Sequence, residues 1–329
     1  MMLRISPIWW PFLIALSPIL IPLLLLKYSR FRKNSLGAAS TNESRISRAN
    51  KIDIVELDFL ELTALVEWKA KEGFVSDSGV SYLLKSNLSR MLFDVGFGPA
   101  RPALTHNASR LKFDMNQVDA LTISHLHCDH MGGITAQHSR QVRVPANIMS
   151  RDIMPCFLPD TADAQGFHAQ VVKNPQMLVP GFVSTGPLSR SLFIFGYTEE
   201  QALLALIKGK GLVVITGCGH PAIETILSMA RRISEKPIYA ICGGLHFPVS
   251  RGRGNRAGIQ LQTILGTGKP IWKRITDEDL THTIEAINEA GPERVLLSAH
   301  DTCDHSINRM QKELRAKVEV IKAGETYSI

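Results

Sequence analysis

Cysteine is scarce in this chain, with five residues among 329. Their number is odd and their positions are scattered, so the pattern indicates no disulfide framework of the kind that supports small secreted proteins. This usage agrees with a reducing compartment. The five are Cys128, Cys156, Cys218, Cys242 and Cys303.

An excess of positive charge is also missing from most of the chain. The formal net charge is +7, but residues 1–51 carry eight lysines and arginines and a single acid, Glu43. The other 278 residues hold 29 basic and 29 acidic side chains. A protein that binds nucleic acid through its phosphates needs a basic surface, so nucleic acid is disfavoured as a partner. The basic excess instead follows an apolar segment, where it can lie on anionic lipid.

Residues 5–26 lack charged side chains altogether and are rich in Leu, Ile, Trp and Phe. About 20 such residues are enough for a helix to cross a bilayer core. Trp9, Trp10 and Tyr28 lie near the two ends, where such rings favour the membrane interface. We therefore predict a membrane anchor with a basic flank at residues 1–33, rather than a signal peptide, whose apolar core usually spans only ~7–15 residues.

The shape and the orientation of this anchor follow from its prolines and its flanking charges. Pro11, Pro18 and Pro22 weaken a straight helix, so a kinked span and a segment lying in the interface both stay open. Arg4 on one side is outnumbered by the four basic side chains of residues 27–33 on the other. That bias places the following domain in the cytosol.

The rest of the chain divides into a linker and one large domain. Residues 34–51 are polar and rich in Ser, Asn and Arg, which predicts a flexible linker. From residue 52 to 329, apolar runs bounded by Gly or Asp recur and later alternate with helical patterns, which predicts one catalytic domain. Strands are predicted at 54–57, 80–84, 91–95, 121–123, 192–195, 212–215, 238–241, 295–297 and 318–321, and helices at 221–230 and 276–291.

The segment after the apolar run 119–123 concentrates chemistry, because His125, His127, Asp129 and His130 fall within six positions. Neutral imidazole and carboxylate are the usual ligands of zinc and similar divalent ions. Residues two apart on an extended segment project to the same side, and the glycine pair that follows lets the chain turn the other two ligands into the same cavity. We therefore predict a metal site in which one strand end supplies two neighbouring ions.

Further ligands must come from later strand ends. Cys218, His220, His246 and His300 each lie just past the carboxyl end of a predicted strand, where the loops of a layered sheet converge. Cys218 is either a ligand, which would favour zinc, or a small packed residue. His246 either binds metal, positions a substrate anion or supports its loop. The remaining histidines lack such neighbours and are expected to be ordinary surface or polar residues: His106, His138, His168, His282 and His305.

The pattern His125-x-His127-x-Asp129-His130 resembles the signature of the metallo-β-lactamase superfamily. Segments 78–84 and 91–96 resemble its early strands and Asp-x-Gly turn, so the likeness runs from about residue 52 to the C-terminus. Segments 198–203, 211–221 and 243–246 are similar to one branch, which contains the methanopterin-pathway dihydropterin synthase-like proteins and uncharacterised hydrolases. The resemblance implies an α/β fold, a four-layer αβ/βα sandwich, preceded here by an N-terminal transmembrane segment.

The resemblance also implies the roles of several residues. By position, His220 and His300 join the four motif residues as metal ligands, and Asp129 is the catalytic residue. Asp94, before the early glycine turn, orients a loop or a ligand histidine without touching metal. The expected cofactors are two divalent ions, with zinc favoured over manganese or iron. Segment 300–304 departs from the branch pattern, and no strand-end aspartate is evident to bridge the ions, so the bridging role is unassigned.

These residues predict a metal-dependent hydrolase of small molecules. A metal-activated water would attack an ester, a phosphodiester, a lactone or a similar substrate, with Asp129 orienting that water or taking its proton. The resembling branch suggests an alternative, a transferase that joins a pterin to an arylamine. A third reading is a membrane-tethered metal-binding sensor or scaffold without turnover. The sequence leaves all three open.

Overall fold

Two mixed β-sheets form the centre of the structure, a computed structural model that describes residues 4–250, 252–253 and 255–329. In chain order the strands are β1 Glu56–Leu57, β2 Leu60–Val66, β3 Ser81–Ser86, β4 Arg90–Phe93, β5 Ala120–Thr122, β6 Gln141–Val142, β7 Pro155–Leu158, β8 Asp163–Ala164, β9 His168–Val171, β10 Gln176–Val179, β11 Phe182–Ser184, β12 Leu188–Leu192, β13 Gly196–Glu200, β14 Leu203–Ile207, β15 Gly211–Thr216, β16 Ile238–Gly243, β17 Asn255–Arg256, β18 Ile259–Gln260, β19 Arg294–Leu297, β20 Lys317–Val320 and β21 Thr326–Ser328.

Helices cover the outer faces of the sheets. They are α1 Trp10–Ala15, α2 Ser17–Arg48, α3 Ala103–Arg110, α4 Cys128–Met131, α5 Ile134–Ser139, α6 Ile223–Ile233, α7 Gln262–Leu265, α8 Asp277–Ala290 and α9 Asp304–Glu313. The predicted helices at 221–230 and 276–291 correspond to α6 and α8. The start of α8 follows from its sequence, because the Thr276 side chain accepts a hydrogen bond from the Asp279 N–H while the Asp279 carboxylate accepts one from the Thr276 N–H.

The strand order brings several loops to one edge of each sheet. The first sheet runs β21-β2-β3-β4-β5-β7-β9, and its strands β4, β5, β7 and β9 are parallel. The second runs β10-β11-β14-β15-β16-β19-β20, with β1 also paired to β14, and β15, β16, β19 and β20 are parallel. Parallel strands present their carboxyl ends at the same edge. The loops after β5, β15, β16 and β19 can therefore build one site.

Three apolar cores hold the layers together. One core lies between the sheets and contains Leu62 and Tyr82 of the first sheet with Leu203 and Val213 of the second. A second core joins the outer face of the second sheet to α6, α8 and α9. A third joins the first sheet to α3 and α4. The layers are therefore helix, sheet, sheet and helix, which confirms the predicted α/β sandwich.

The apolar N-terminal segment is not one straight helix. The helical stretch Pro7–Ala15 and helix α2 meet at 89°. Pro18, in the first turn of α2, has no backbone N–H to continue the hydrogen bonding of α1. No single helix among the described residues is long and apolar enough to cross a membrane, and these two stretches meet that test only as a bent pair. The transmembrane helix predicted at residues 5–26 is therefore corrected to a bent pair of helices.

Both ends of the apolar segment contact the same part of the domain. The Arg4 guanidinium donates hydrogen bonds to the carbonyls of Thr263 and Lys273, at 3.1 and 2.8 Å. The ring of Tyr28 lies 5.0 Å from that of Trp272, measured between centroids. A straight helix from residue 4 to residue 28 would hold its ends about 36 Å apart. The bend instead returns the chain to the segment it started from.

The predicted flexible linker at residues 34–51 is helical over most of its length, as the end of α2. The Asn42 amide exchanges two hydrogen bonds with the backbone of Ser189, at 2.8 and 2.7 Å. Arg45 forms an ion pair with Glu199 at 2.7 Å. The segment is helical here because Asn42 and Arg45 bind the hairpin of β12 and β13.

Candidate metal centre

The loop after β5 carries the histidine-rich motif at the shared edge of the sheets. His125 is buried, His127 is partly buried, and their rings lie 4.5 Å apart between centroids. The chain then forms the short helix α4, which ends at Gly132 with a φ of 109°. A Cβ atom at Gly132 would lie 2.3 Å from the Arg143 carbonyl oxygen, so both the turn and the close approach require glycine there. The sharp turn predicted from the sequence is confirmed.

The loop after β15 presents Cys218 and His220, and Glu200 fixes its shape. The Glu200 carboxylate is buried and accepts hydrogen bonds from the backbone N–H groups of Cys218, Gly219 and His220, at 2.8–3.1 Å. Burial raises the pKa of Glu200 to about 7, against the effect of these donors. The carboxylate thus acts as an acceptor that holds the loop in position.

The loop after β19 presents His300, and a buried chain of side chains supports it. The Ser298 hydroxyl donates to the Glu67 carboxylate at 2.5 Å and lies 2.6 Å from Nδ1 of His300. Tyr82 donates to the same carboxylate at 2.8 Å. Since the serine proton is engaged with Glu67, Nδ1 of His300 must donate, which leaves its Nε2 with a lone pair.

Asp94 orients two histidines in the same manner on the opposite side of the site. Its Oδ2 atom accepts from the Ser124 hydroxyl and from Nδ1 of His130, both at 2.7 Å. Ser124 Oγ also lies 3.0 Å from Nδ1 of His125. The serine proton points to Asp94, so His125 donates through Nδ1 and its Nε2 atom carries a lone pair. His130 likewise donates through Nδ1, to Asp94. The position predicted for Asp94, behind a ligand histidine, fits this geometry.

The structure collects the candidate ligand atoms into three overlapping groups, in each of which the atoms lie within 4.8 Å of one another. The sequence-predicted residues all fall into these groups. They are His125, His127 and His220; Asp129, His130, Cys218 and His300; and Cys218, His220 and His246. Cys218 belongs to two of them, and its sulfur lies 3.2 Å from Nε2 of both His130 and His300.

The donor chemistry of these groups fits divalent metal ions. The Nε2 atom of His125 is buried and has no hydrogen-bond partner in the described part of the chain. His127 Nδ1 and His220 Nε2 are 3.2 Å apart, close to the ~3.3 Å that separates two nitrogen ligands of one tetrahedral zinc ion. Burial lowers the pKa values of His125, His127, His220 and His300, that of His127 to about 3. These imidazoles are therefore neutral, which is the form that binds metal.

His130 and Asp129 are the charged members of the centre. Burial lowers the pKa of His130, but the carboxylates of Asp94 and Asp129 outweigh it and raise that pKa to about 9. Burial raises the pKa of Asp129. Its Oδ2 atom lies 3.8 Å from Nε2 of His130. A metal cation held by these two residues would take the place of the His130 proton as the positive charge beside the Asp129 carboxylate.

His246 adjoins the centre but differs from the other histidines. Its backbone φ is 57°, a strained value for a residue with a Cβ, and both ring nitrogens are buried without a partner among the described residues. Burial lowers its pKa to about 4. The Asp301 carboxylate accepts from the His246 N–H at 3.0 Å. Asp301, part of the departure at 300–304, therefore supports the His246 loop.

The structure also sorts the other histidines. His106, His138, His168, His282 and His305 are exposed, as predicted for histidines without ligand neighbours. Sequence reasoning missed the residues behind the ligands, namely Glu67, Ser124, Glu200, Ser298 and Asp301. Ser124 directly precedes His125, and Ser298 lies two positions before His300. A serine just before a ligand histidine is therefore the sequence feature that could have identified these two supporting residues. Glu67 and Glu200 carried none, because they act through contacts with distant segments.

The sequence model described as metallo-beta-lactamase superfamily matches residues 76–140, which include the whole histidine motif. Residues 76–140 therefore carry the sequence of a metallo-β-lactamase superfamily domain. Members of this superfamily are typically enzymes. A solved metal-dependent hydrolase of the beta-lactamase superfamily, Tm1679, is 21% identical with a TM-score of 0.59, over 82% of this chain and 99% of its own. At this identity the likeness concerns the fold of the domain.

A curated relative extends the similarity along the chain. The 7,8-dihydropterin-6-methyl-4-(beta-D-ribofuranosyl)-aminobenzene-5'-phosphate synthase of Methanocaldococcus jannaschii is 22% identical over 316 residues. The match covers 83% of this chain and 98% of the relative. The similarity to this branch predicted from segments 198–203, 211–221 and 243–246 is thereby confirmed. The chain is thus similar in fold to a solved hydrolase and similar in sequence to a synthase.

Proposed function

We propose that the chain is a metal-dependent hydrolase that uses an activated water on an ester, a phosphodiester, a lactone or a similar small molecule. The observation that carries the proposal is the convergence of a three-histidine group and an Asp129-containing group beside a cavity lined by His220 and His246. Bound divalent ions supply an activated water at neutral pH and polarise the substrate oxygen under attack. Two ions are proposed, with zinc favoured because Cys218 offers a sulfur ligand.

The ligands divide between the two proposed positions. His125, His127 and His220 would hold one ion, and Asp129, His130 and His300 would hold the other. Cys218 lies in the second group and also in a group with His220, so its sulfur would be available to either ion. Thiol ligation requires loss of the proton, and burial raises the pKa of Cys218 well above its usual range. Metal binding at this residue should therefore release a proton.

Asp129 is the residue proposed to handle the proton of the attacking water. Burial raises its pKa, so the carboxylate is a better base than an exposed aspartate. Asp94 holds the neighbouring His130 by its Nδ1 atom, which fixes the ring while Asp129 moves a proton. The His246 ring, neutral and without a hydrogen-bond partner in the described part of the chain, remains able to donate to or accept from a substrate polar group.

A substrate panel tests the proposal directly. The full-length chain, loaded with zinc, manganese or iron, would be assayed on phosphodiesters, lactones, thioesters and β-lactams. We expect turnover of at least one class, and loss of that turnover in His127→Ala but not in His138→Ala, an exposed histidine on α5. A chain that binds stoichiometric metal yet turns over none of these classes would contradict the hydrolase and favour a metal-binding scaffold.

A transferase joining a pterin to an arylamine is the second candidate, favoured by the curated synthase relative that matches most of the chain. The measurement that separates it is product analysis by mass spectrometry after incubation with a reduced pterin and an arylamine. A joined product that depends on His127 and on metal would establish the transferase. Hydrolysis without any joined product would exclude it for these substrates.

We further propose that the apolar N-terminal segment attaches the protein to the cytosolic face of a membrane. Large apolar side chains of the segment are exposed, including Ile14 at 71% and Leu26 at 63%. The basic side chains of residues 27–33 follow directly and suit anionic lipid. Since both ends of the segment contact the same part of the domain, insertion into one leaflet is favoured over a crossing. Flotation with vesicles containing phosphatidylserine would show binding, which Ile14→Asp with Leu26→Asp should abolish.

A further inference from the structure

A cavity of about 210 Å³ opens beside the candidate metal centre. His220 and His246 line it on the metal side, and Arg190 of β12 lines it as well. The positive charge of Arg190 is close enough to lower the pKa of His246, second to burial. The cavity thus connects the candidate metal centre to the Arg190 guanidinium, which has no role in the proposed hydrolytic chemistry.

The charged neighbours of Arg190 in this cavity already have partners. Lys269 lies 2.5 Å from the Asp279 carboxylate, which also accepts from the Thr276 backbone. Glu224 accepts from the Thr283 hydroxyl at 3.1 Å. Lys269 and Asp279 thus neutralise each other, whereas Glu224 has a neutral donor, and both carboxylates act on Arg190 only at longer range.

The Arg190 guanidinium makes no hydrogen bond or ion pair with any residue of 4–250, 252–253 or 255–329. A guanidinium carries five N–H donors in a planar fork. Removing such a charge from water without a partner costs free energy. The side chain is only partly exposed, so its donors are held ready for a group that enters the cavity.

Two glycines keep this space open. A Cβ atom at Gly268 would lie 2.4 Å from Nε of Arg190, and a Cβ atom at Gly266 would lie 2.5 Å from Cε1 of His246. Any side chain at either position would have to displace the guanidinium or the imidazole. The segment after α7 therefore fits closely against both groups.

We propose that Arg190 binds an oxyanion group, a carboxylate or a phosphate, on the substrate, while the bond to be cleaved lies on the metal side of the cavity. A bidentate pair between a guanidinium and an oxyanion supplies orientation as well as free energy. His246 contacts the same substrate between Arg190 and His220. The proposal rests on the hydrolytic function proposed above and names the substrate class as small anionic compounds.

Two matched esters test it with the full-length, metal-loaded protein. p-Nitrophenyl acetate is neutral, whereas the mono-p-nitrophenyl ester of glutaric acid carries a terminal carboxylate. In Arg190→Gln we expect KM for the glutarate ester to rise by about tenfold or more, because a charge-assisted hydrogen bond is lost. Its kcat should change less than about twofold, and the acetate ester should be unaffected. Arg190→Lys should fall between, since an ammonium cannot bind bidentately.

The controls separate this proposal from the hydrolase. Arg151→Gln removes an exposed arginine elsewhere and should change neither ester. Equal metal content in all variants shows that the centre is intact. An equal KM change for both esters, or none for either, would overturn the Arg190 subsite and leave the hydrolase standing.

Binding supplies a readout that does not require turnover. Calorimetric titration of glutarate and of inorganic phosphate should show affinities about tenfold weaker in Arg190→Gln, and the larger of the two losses identifies the oxyanion. Unchanged affinities for both would overturn the subsite. The wild type could hydrolyse neither ester and still bind the anions, with weaker binding in Arg190→Gln. That result would contradict hydrolysis of esters and retain the Arg190 subsite.

Discussion

The Oδ2 atom of Asp94 lies 2.7 Å from Nδ1 of His130, so a buried carboxylate fixes the ring of a candidate ligand. The same atom accepts from Ser124, which in turn contacts His125. One side chain thereby determines which nitrogen two histidines present to the centre. The backbone φ of Asp94 is 60°, in the left-handed region that aspartate adopts more readily than most residues with a Cβ.

Asp94→Asn should weaken metal binding by about 10- to 100-fold. The amide offers one acceptor oxygen, whereas the carboxylate accepts from the Ser124 N–H, the Ser124 hydroxyl and His130. Competition with a chromophoric chelator measures the affinity. Asp152→Asn changes an exposed aspartate and should leave it unchanged. Equal affinities in both variants would show that the hydrogen bond to His130 has no role in metal binding.

His127→Ala should lower the bound metal by about one ion per chain, because it leaves only two nitrogen ligands in the first group. Elemental analysis after extensive dialysis gives the stoichiometry, and His138→Ala serves as the matched control. Wild-type protein without stoichiometric metal would contradict the proposed centre as a whole. Retention of both ions in His127→Ala would instead remove His127 from the ligand set.

Glu67 should make the protein less stable as pH rises from about 4.5 to about 7. Burial raises its folded-state pKa from 4.5 to about 7, against four hydrogen bonds that favour the charged form. The folded state therefore holds a proton that the unfolded state has lost across this interval, so the unfolding free energy falls as pH increases and is constant above it. The full effect is about 3 kcal/mol.

Urea unfolding at constant metal concentration and at several pH values measures this dependence. Glu67→Gln should flatten the decrease between pH 5 and pH 7. Glu61→Gln changes a partly exposed glutamate of β2, the strand before Glu67, and should keep the wild-type slope. A Glu67→Gln curve parallel to the wild type over the whole range would mean that this carboxyl does not titrate there.

Gly268→Ala should reproduce the anion-binding defect of Arg190→Gln without removing a charge. The new methyl group would meet the guanidinium at 2.4 Å and push it from the cavity. We expect a severalfold higher KM for the glutarate ester and an unchanged KM for the acetate ester. Gly37→Ala in α2 meets nothing within 4 Å and should leave both values alone. A fully active Gly268→Ala enzyme with normal glutarate affinity would show that the Arg190 guanidinium can shift and still bind the anion.

The sequence predicted the metal-facing side of the site better than the supporting side. Histidines directly after predicted strands are recognisable in the sequence because histidine is unusual at such positions. All six predicted ligands lie in the three groups described above. Glu67 directly follows β2, a strand that the apolar pattern did not identify because acidic and polar residues interrupt it. Its partner Ser298 is 231 positions away, a contact that no local pattern encodes.

The dependence on contacts between distant segments also explains where the structure differs from the predictions for residues 34–51 and 192–195. Residues 34–51 have the composition of a linker, and only the docking of Asn42 and Arg45 on β12 and β13 gives them a reason to be ordered. Residues 192–195 were predicted as a strand but mostly form the turn between those two strands. In both places tertiary contacts overrode a valid local preference.

The contacts of Arg4 with Thr263 and Lys273 join residues 259 and 269 positions apart. The two acceptor carbonyls flank the segment that carries Gly266 and Gly268, so the Arg4 guanidinium bridges both ends of that segment. A displacement of the N-terminal segment would therefore be transmitted to one wall of the cavity, which links membrane attachment to the shape of the substrate site.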